Sequence, residues 1–389
     1  MGLGGISVIV ALVAALAGTA LVLTKGWHGV FSLDSQDGVQ KFHDAPTPRI
    51  GGMSLLAGLL AALVVLDDAA AGLLGLVLLC AAPAFFSGLF EDLTKTVTPR
   101  LRLLAALLSG ALLVATAGVV VPLAAPLVPA WSGTWGIWTI YALGALGMVI
   151  GLAGTTNAVN IIDGFHGLAA GSVIIMSLTL AALAALEGDV VLAEVCIVFA
   201  AAMAGFLVVN FPRGLLFLGD AGAYLAGFVL GALALLLAAR TDVSAFVSIL
   251  VMAYPVYETL FSMARKIRRP GHSPSRPDGV HLHMLVSRRF ARFIAYGLEK
   301  PHWKNPITGV LMWPFSLVAA CLAFLAQGTN IGGVLGLVIF VLFYARVYRL
   351  ASLQRASLLQ PYARKWGWDE STRYRAAGAP EPDPAAGEG

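Results

Sequence analysis

Asn157, Asn160 and Asp163 recur at every third position in Asn157-Ala-Val-Asn160-Ile-Ile-Asp163-Gly164-Phe-His166-Gly167-Leu168. On a helix that step places all three on one face, and the glycines beyond them open the backbone just before the next apolar run. Amides and an acid leading to a helix N-terminus suit a phosphate group. The competing reading is that Asp163 only caps the following helix, but three polar groups on one face of an apolar chain argue for more. A further acid, Asp220, stands between glycines in Phe217-Leu-Gly219-Asp220-Ala-Gly222, and Glu91 adjoins Asp92. Adjacent like charges repel, so that pair calls for a cation, solvent or both. Carboxylate oxygens of this kind suit Mg²⁺, which is held by one or two carboxylates together with substrate phosphates, with Mn²⁺ as the runner-up.

The opposite charge is concentrated in the loop 263–306, which carries Arg265, Lys266, Arg268, Arg269 and Arg276 and then Asp278-Gly-Val-His281-Leu-His283. Histidines two apart cannot share a helical face, but in a turning loop they can converge on one ligand. Zinc would need further donors, and only His272 is near. Phosphate or pyrophosphate binding by Arg and His is the better reading, against a loop that merely meets lipid headgroups. An earlier loop, Lys41-Phe-His43-Asp44-Ala-Pro46-Thr-Pro48-Arg49-Ile-Gly51-Gly52, offers Lys41 and His43 to a phosphate as well. Its prolines stiffen the approach and its glycine pair permits close backbone contact.

The elements that must position these residues follow from composition. With 59% hydrophobic residues, 12% charged and a mean hydropathy of +0.85, a chain of 389 residues cannot be a soluble fold. An all-α, polytopic integral membrane protein is expected. Eleven apolar runs approach the ~20 residues a bilayer requires, at 4–24, 51–66, 69–88, 102–121, 134–153, 167–186, 191–209, 221–239, 243–262, 307–326 and 330–348. Threaded with the N-terminus periplasmic and the C-terminus cytoplasmic, the outer connections carry a single basic residue, Arg240, and every other Lys and Arg falls on the inner side. The positive-inside rule makes that side cytoplasmic. Trp131, Trp135 and Trp138 sit where an outer aromatic belt belongs. The first run lacks a basic segment before it and reads as an uncleaved span. Cys80, Cys196 and Cys321 all lie in apolar runs without metal-site spacing and read as inert core residues. Residues 1–350 are expected to form one catalytic domain with cytoplasmic loops 25–50, 88–102, 154–167, 210–220 and 263–306. The tail 351–389 is expected to be cytoplasmic and disordered toward its end, with Arg355 to Trp368 on the membrane surface.

In combination and order, these motifs resemble the polyprenyl-phosphate N-acetylhexosamine-1-phosphate transferases: Lys-x-His-x-x-Pro-x-Pro-x-x-Gly-Gly, the acidic pair, Asn-x-x-Asn-x-x-Asp-Gly-x-x-Gly-Leu, Gly-Asp-x-Gly, and an Arg-rich loop ending in His-x-His. The resemblance covers about residues 40–290. It implies a multi-span enzyme of the bacterial inner membrane with its active site facing the cytoplasm. Such an enzyme moves a sugar 1-phosphate from a UDP-N-acetyl amino sugar to undecaprenyl phosphate with Mg²⁺, releases UMP and starts a cell-surface glycan. Carried over by motif, Asp220 matches the metal-binding aspartate, joined by Asp163, and Asp92 the acid assigned to acid/base or positioning work, with Glu91 beside it. Asn160 and Asp163 match the central polar motif, and His281 and His283 the histidine loop, with Arg265 or Arg268 as the pyrophosphate contact. Asn157, His166, Lys41 and His43 complete the substrate-binding set.

Three departures stand out. Glu91 replaces an aspartate, His166 replaces the second acid of the common Asp-Gly-x-Asp-Gly form, and Met284 replaces a third histidine. They favour the branch that primes O-antigen or related glycans over the phospho-N-acetylmuramoyl-pentapeptide transferase of peptidoglycan synthesis. The lipid phosphate is expected to attack directly, although a covalent Asp92 intermediate fits the same residues. A secondary transporter would instead hold its ionisable groups near the midplane. A CDP-alcohol phosphotransferase would need further aspartates within 167–186, which are absent. No nucleic-acid partner is expected; membrane lipid is, and a homodimer stays open.

Overall fold

The computed structural model describes residues 2–33, 47–130, 132–268 and 280–353. Lys41, His43, Trp131, the stretch 269–279 with Arg269, His272, Arg276 and Asp278, and the tail from 354 lie outside the described residues. The described chain is all-α, with one isolated bridge between Leu33 and Pro48. In order it forms α1 (Leu3–Leu23), α2 (Lys25–Ser32), α3 (Gly52–Val65), α4 (Asp68–Thr94), α5 (Pro99–Thr116), α6 (Val120–Ala124), α7 (Thr134–Ile162) and α8 (Leu168–Leu186). There follow α9 (Val190–Asn210), α10 (Gly219–Arg240), α11 (Ala245–Val251), α12 (Ala253–Ile267), α13 (Leu282–Val286), α14 (Arg292–Gly297), α15 (Lys304–Ala326) and α16 (Asn330–Leu353). Apolar runs in lipid become helices because only a helix satisfies every backbone group within its own segment. Three of the long helices start at a side-chain cap: Asp67 accepts the N–H of Ala70 at 2.9 Å, Thr98 that of Leu101 at 3.3 Å ahead of Pro99, and Asp189 that of Leu192 at 3.0 Å.

All eleven apolar runs are helical, but the expected count of spans needs correction. Among the described residues nine helices are long and apolar enough to cross a membrane, and ten are reached if α11 and α12, bent by 81° at their junction, together form one span. The remaining run, α3, has 14 residues, or about 21 Å at 1.5 Å per residue, short of the ~30 Å hydrocarbon core. It is nevertheless the outgoing arm of a hairpin. Arg49, just before α3, meets Asp92, near the end of α4, so the chain leaves one face along α3 and returns to it along α4.

The same face gathers the end of α7, the start of α8, the end of α9, the start of α10 and the start of α15. Asn160 reaches Asp220, the N–H of Gly167 is accepted by Asn210, and the N–H of His166 is accepted by Asn305. The alternation read from the charges is therefore present in the packing. At the centre lies α10, buried along almost its whole length from Gly219 to Leu237 and packed against α3, α4 and α7. Two glycines permit this approach: a Cβ on Gly52 would lie 2.4 Å from the nitrogen of Gly222, and one on Gly88 would lie 2.6 Å from that of Ala221. Of the cysteines, Cys80 and Cys196 are buried as expected, whereas Cys321 is exposed on α15. Trp135 and Trp138 are exposed at the start of α7, at the opposite end of the bundle from the shared face.

Candidate functional site

Gly219 turns the chain into α10 with a φ of +74°, and a Cβ there would lie 1.9 Å from the carbonyl oxygen of Arg49, so only glycine fits. The turn delivers Asp220 to the first helical residues, where it is 8% exposed. Its Oδ1 accepts hydrogen bonds from Asn160 Nδ2 at 3.0 Å and Arg49 Nη2 at 3.5 Å, and its Oδ2 pairs with Arg102 Nη1. Asp92, fully buried, accepts the backbone N–H groups of Asp220 and Ala221, each at 2.9 Å, and lies 3.1 Å from Arg49 Nε. Two aspartates and two arginines thus form a compact, charge-balanced cluster drawn from four elements. Such burial is tolerable because each charge is paired and hydrogen-bonded.

Asp163 follows directly on α7, beside this cluster. It does not cap α8, as the bland reading supposed; Gly167 occupies the position before that helix, and Asp163 terminates α7. Although Asp163 keeps some surface, burial of its carboxyl, followed by the charges of Asp220 and Asp92, pushes it up to about 7 against the attraction of Arg49. A carboxyl made reluctant to ionise by two acid neighbours is the kind of group a divalent cation would relieve. Asp220 and Asp163 have the hard oxygen donors such an ion takes. No group of three His, Cys, Asp or Glu side chains arranged for a metal occurs among the described residues, so water and substrate oxygens would complete any coordination. An ion on Asp220 would also have to displace Arg102.

The other expected residues divide. Glu91 turns away from Asp92, and its Oε2 accepts the N–H of Val97 at 2.8 Å, closing the turn between α4 and α5. Asn157 donates to Ala153 O in its own helix at 2.8 Å rather than into the cluster. His166 is a staple: Nδ1 donates to Pro212 O at 3.0 Å, and the ring lies against Phe217 at 5.9 Å. It therefore ties the Asp163 turn to the 211–217 loop.

His281 and His283 are both buried and stack with ring centroids 5.3 Å apart. His283 lies edge-on to Phe165 at 5.7 Å and borders Gly164, which ties the histidine loop to the Asp163 turn. Burial pushes the His283 imidazole down to about 4, against the attraction of Glu258, so it is neutral at physiological pH. Arg265 is held by protein groups: Nη1 donates to Val280 O at 3.0 Å and Tyr348 Oη at 2.7 Å, and the guanidinium lies over the rings of Phe261 and Tyr348. Arg265 thereby braces the loop, its guanidinium joining Val280, Tyr348 and Phe261. Arg268 is exposed at the end of α12.

Residue spacing did not single out Arg49 and Arg102 as members of the acid cluster, nor Glu258, Tyr344, Asn210 and Asn305. The available signal was a polar side chain at or inside the end of an apolar run, where it is expensive unless partnered.

The chain matches the family model described as glycosyl transferase family 4 over residues 74–238. It is 30% identical over 313 residues to the decaprenyl-phosphate N-acetylglucosaminephosphotransferase of Mycolicibacterium smegmatis, covering 70% of this chain and 74% of that one. A probable undecaprenyl-phosphate N-acetylglucosaminyl 1-phosphate transferase of Bacillus subtilis is 34% identical over 146 residues, 37% of this chain and 38% of the relative. The phospho-N-acetylmuramoyl-pentapeptide-transferase of Rubrobacter xylanophilus is 33% identical over 209 residues, 49% and 61% of the two chains.

Proposed function

Because this chain belongs to the polyprenyl-phosphate N-acetylglucosamine-1-phosphate transferase family, we propose that it transfers an N-acetylhexosamine 1-phosphate, most simply that of N-acetylglucosamine, from a UDP-sugar to undecaprenyl phosphate. UMP is the second product, and the reaction starts O-antigen or another surface glycan at the inner membrane. The observation that carries this reading is the charge-balanced cluster of Asp92, Asp220, Arg49 and Arg102, set beside Asp163 at the one face where the motif loops meet. The basic residues gathered on that face support a cytoplasmic placement for it, with the N-terminus periplasmic.

A lipid phosphate monoester with a second pKa near ~6 is largely a dianion at neutral pH and needs no strong base. One of its oxygens forms a bond to the sugar-proximal phosphorus. The phosphoanhydride bond to UMP breaks, UMP leaves with the electron pair, and no proton has to move. Charge neutralisation and in-line placement are then the site's tasks. Arg49 and Arg102 supply positive charge next to the reacting phosphates, Asn160 orients Asp220, and Asp163 offers a further oxygen. When bound to Asp220 and Asp163, Mg²⁺ would add charge neutralisation of the pyrophosphate. Both Asp92 oxygens are taken up by α10 and Arg49, which supports direct attack by the lipid over a covalent Asp92 intermediate.

Purified protein in detergent, given undecaprenyl phosphate and a panel of UDP-N-acetyl sugars with and without Mg²⁺, is expected to release UMP from one sugar. That release should be lost in Asp220→Asn. Folded protein that releases no UMP with any sugar would refute the proposal and turn attention to transport or another donor.

A further inference from the structure

Glu258 is a buried acid in the apolar bent pair α11–α12, 1% exposed, two residues beyond the first turn that follows the 81° break between them. An acid there is expensive unless it has a purpose, and no sequence motif accounts for it. Its bonds do: Oε1 receives His281 Nδ1 at 2.9 Å and the N–H of Leu282 at 3.1 Å, and Oε2 receives Tyr344 Oη at 2.6 Å. A carboxylate can only accept, so the His281 nitrogen facing it carries a proton. Tyr344, itself fully buried among Tyr257, Phe261 and Tyr348, fixes the second oxygen and stops the carboxylate from rotating.

The two histidines therefore differ. His281 is bonded to a carboxylate and keeps its Nε2 on the far edge of the ring. His283 stacks on it, the ring planes nearly parallel at 5°, and wedges between it and Phe165 beside Gly164. We propose that Glu258, with Tyr344, is a positioning residue for the transfer: it fixes the tautomer and orientation of His281 so that Nε2 serves the phosphate-bearing substrate, while His283 is a packing spacer between that ring and Phe165. An imidazole held in this way can donate from Nε2 to a phosphate once that nitrogen is protonated, with the second proton anchored on Glu258.

The inference rests on the transferase reading, and the test separates the two. UMP release by the wild-type chain is measured beside Glu258→Gln, His281→Gln and the double variant. Glu258→Gln is expected to lower kcat/KM on the order of tenfold to a hundredfold, Tyr344→Phe less, and the double variant no further than His281→Gln alone, because both act through one imidazole. Losses that multiply, or a Glu258→Gln enzyme within twofold of wild type, would overturn the proposal while leaving the transferase intact. An inactive wild type would remove both. Should Glu258→Gln not accumulate, ¹⁵N-histidine NMR of the full wild-type chain, with His281 assigned by its absence in His281→Gln, decides. A protonated Nδ1 around neutral pH is expected, and an unprotonated Nδ1 contradicts the proposal.

Discussion

The carboxylate of Asp92 caps the helix that carries Asp220: its two oxygens accept the N–H groups of Asp220 and Ala221, each at 2.9 Å. One acid thus sets the backbone from which the other projects, across 128 positions of sequence. An aspartate at an N-terminus also opposes the positive end of the helix dipole. Arg49 spans both carboxylates and ties the first motif loop to the cap.

Asp92→Asn turns an amide N–H₂ toward an N–H donor of α10, leaving a buried donor unsatisfied at about 1–3 kcal/mol. Thermal midpoint and transfer activity should fall together in detergent. An Asp92→Asn protein that melts like wild type yet has lost transfer would show that Asp92 acts on substrate and not through the cap.

Much of this was legible in the sequence. The apolar runs give the helices because nothing else satisfies a backbone in lipid, and the charge asymmetry gives the shared face. Asp220 and Asp163 stand where their glycine-flanked motifs place them. What spacing hides is the partner of each charge. Arg49 and Arg102 are 53 residues apart in number but meet on one carboxylate, and no periodicity announces such a convergence. His166 has the spacing of a site residue and the contacts of a staple, because Pro212 and Phe217 reach it from another loop. The shortfall of α3 is local: a bilayer span needs length, whereas an arm of a hairpin needs only to pack.

Arg102 occupies the Asp220 oxygen that a cation would need. Removing it as Arg102→Ala withdraws a charge-assisted competitor worth about 1.5–3 kcal/mol. Mn²⁺ binding to the substrate-free protein, followed by electron paramagnetic resonance, should tighten by roughly tenfold or more. Unchanged or weaker binding would mean that the ion, if any, sits elsewhere.

The Asp163 carboxyl, pushed up to about 7 by burial and by its acid neighbours, ionises as pH rises through neutrality. Transfer should climb over that interval, and Asp163→Asn should flatten the climb while lowering the plateau. Between the unfolded value near ~3.9 and about 7 the folded state holds a proton that the unfolded state has released, so stability declines as pH rises across this window. Added Mg²⁺ should reverse part of that decline. A melting temperature that rises from pH 5 to 7 without Mg²⁺ in wild type but not in Asp163→Asn would contradict the assignment.

On the opposite face, Arg240 Nε and Nη2 reach the Asp189 carboxylate at 2.6 and 3.1 Å while Asp189 caps α9. Burial alone would raise Asp189, but the Arg240 hydrogen bond, the Leu192 N–H and the Arg240 charge hold its carboxyl below the ordinary range. Its contribution is therefore present above the unfolded value and lost as pH falls through the lower folded one. Asp189→Ala loses the cap, about 1 kcal/mol, and with it roughly 1 °C of thermal midpoint, at unchanged transfer activity. The gap to wild type should close on acidification; a gap that persists in acid would rule out this pairing as its source.

The central claim is that the sugar-proximal phosphorus moves to the lipid. UDP-N-acetylglucosamine carrying ³²P in its β-phosphate, incubated with purified protein, undecaprenyl phosphate and Mg²⁺, tests this directly, with an α-labelled sample run in parallel. The account predicts β-label in the organic-extractable lipid and α-label in UMP. Label from the α-position in the lipid, or β-label remaining in water with the sugar while active protein releases UMP, would contradict it.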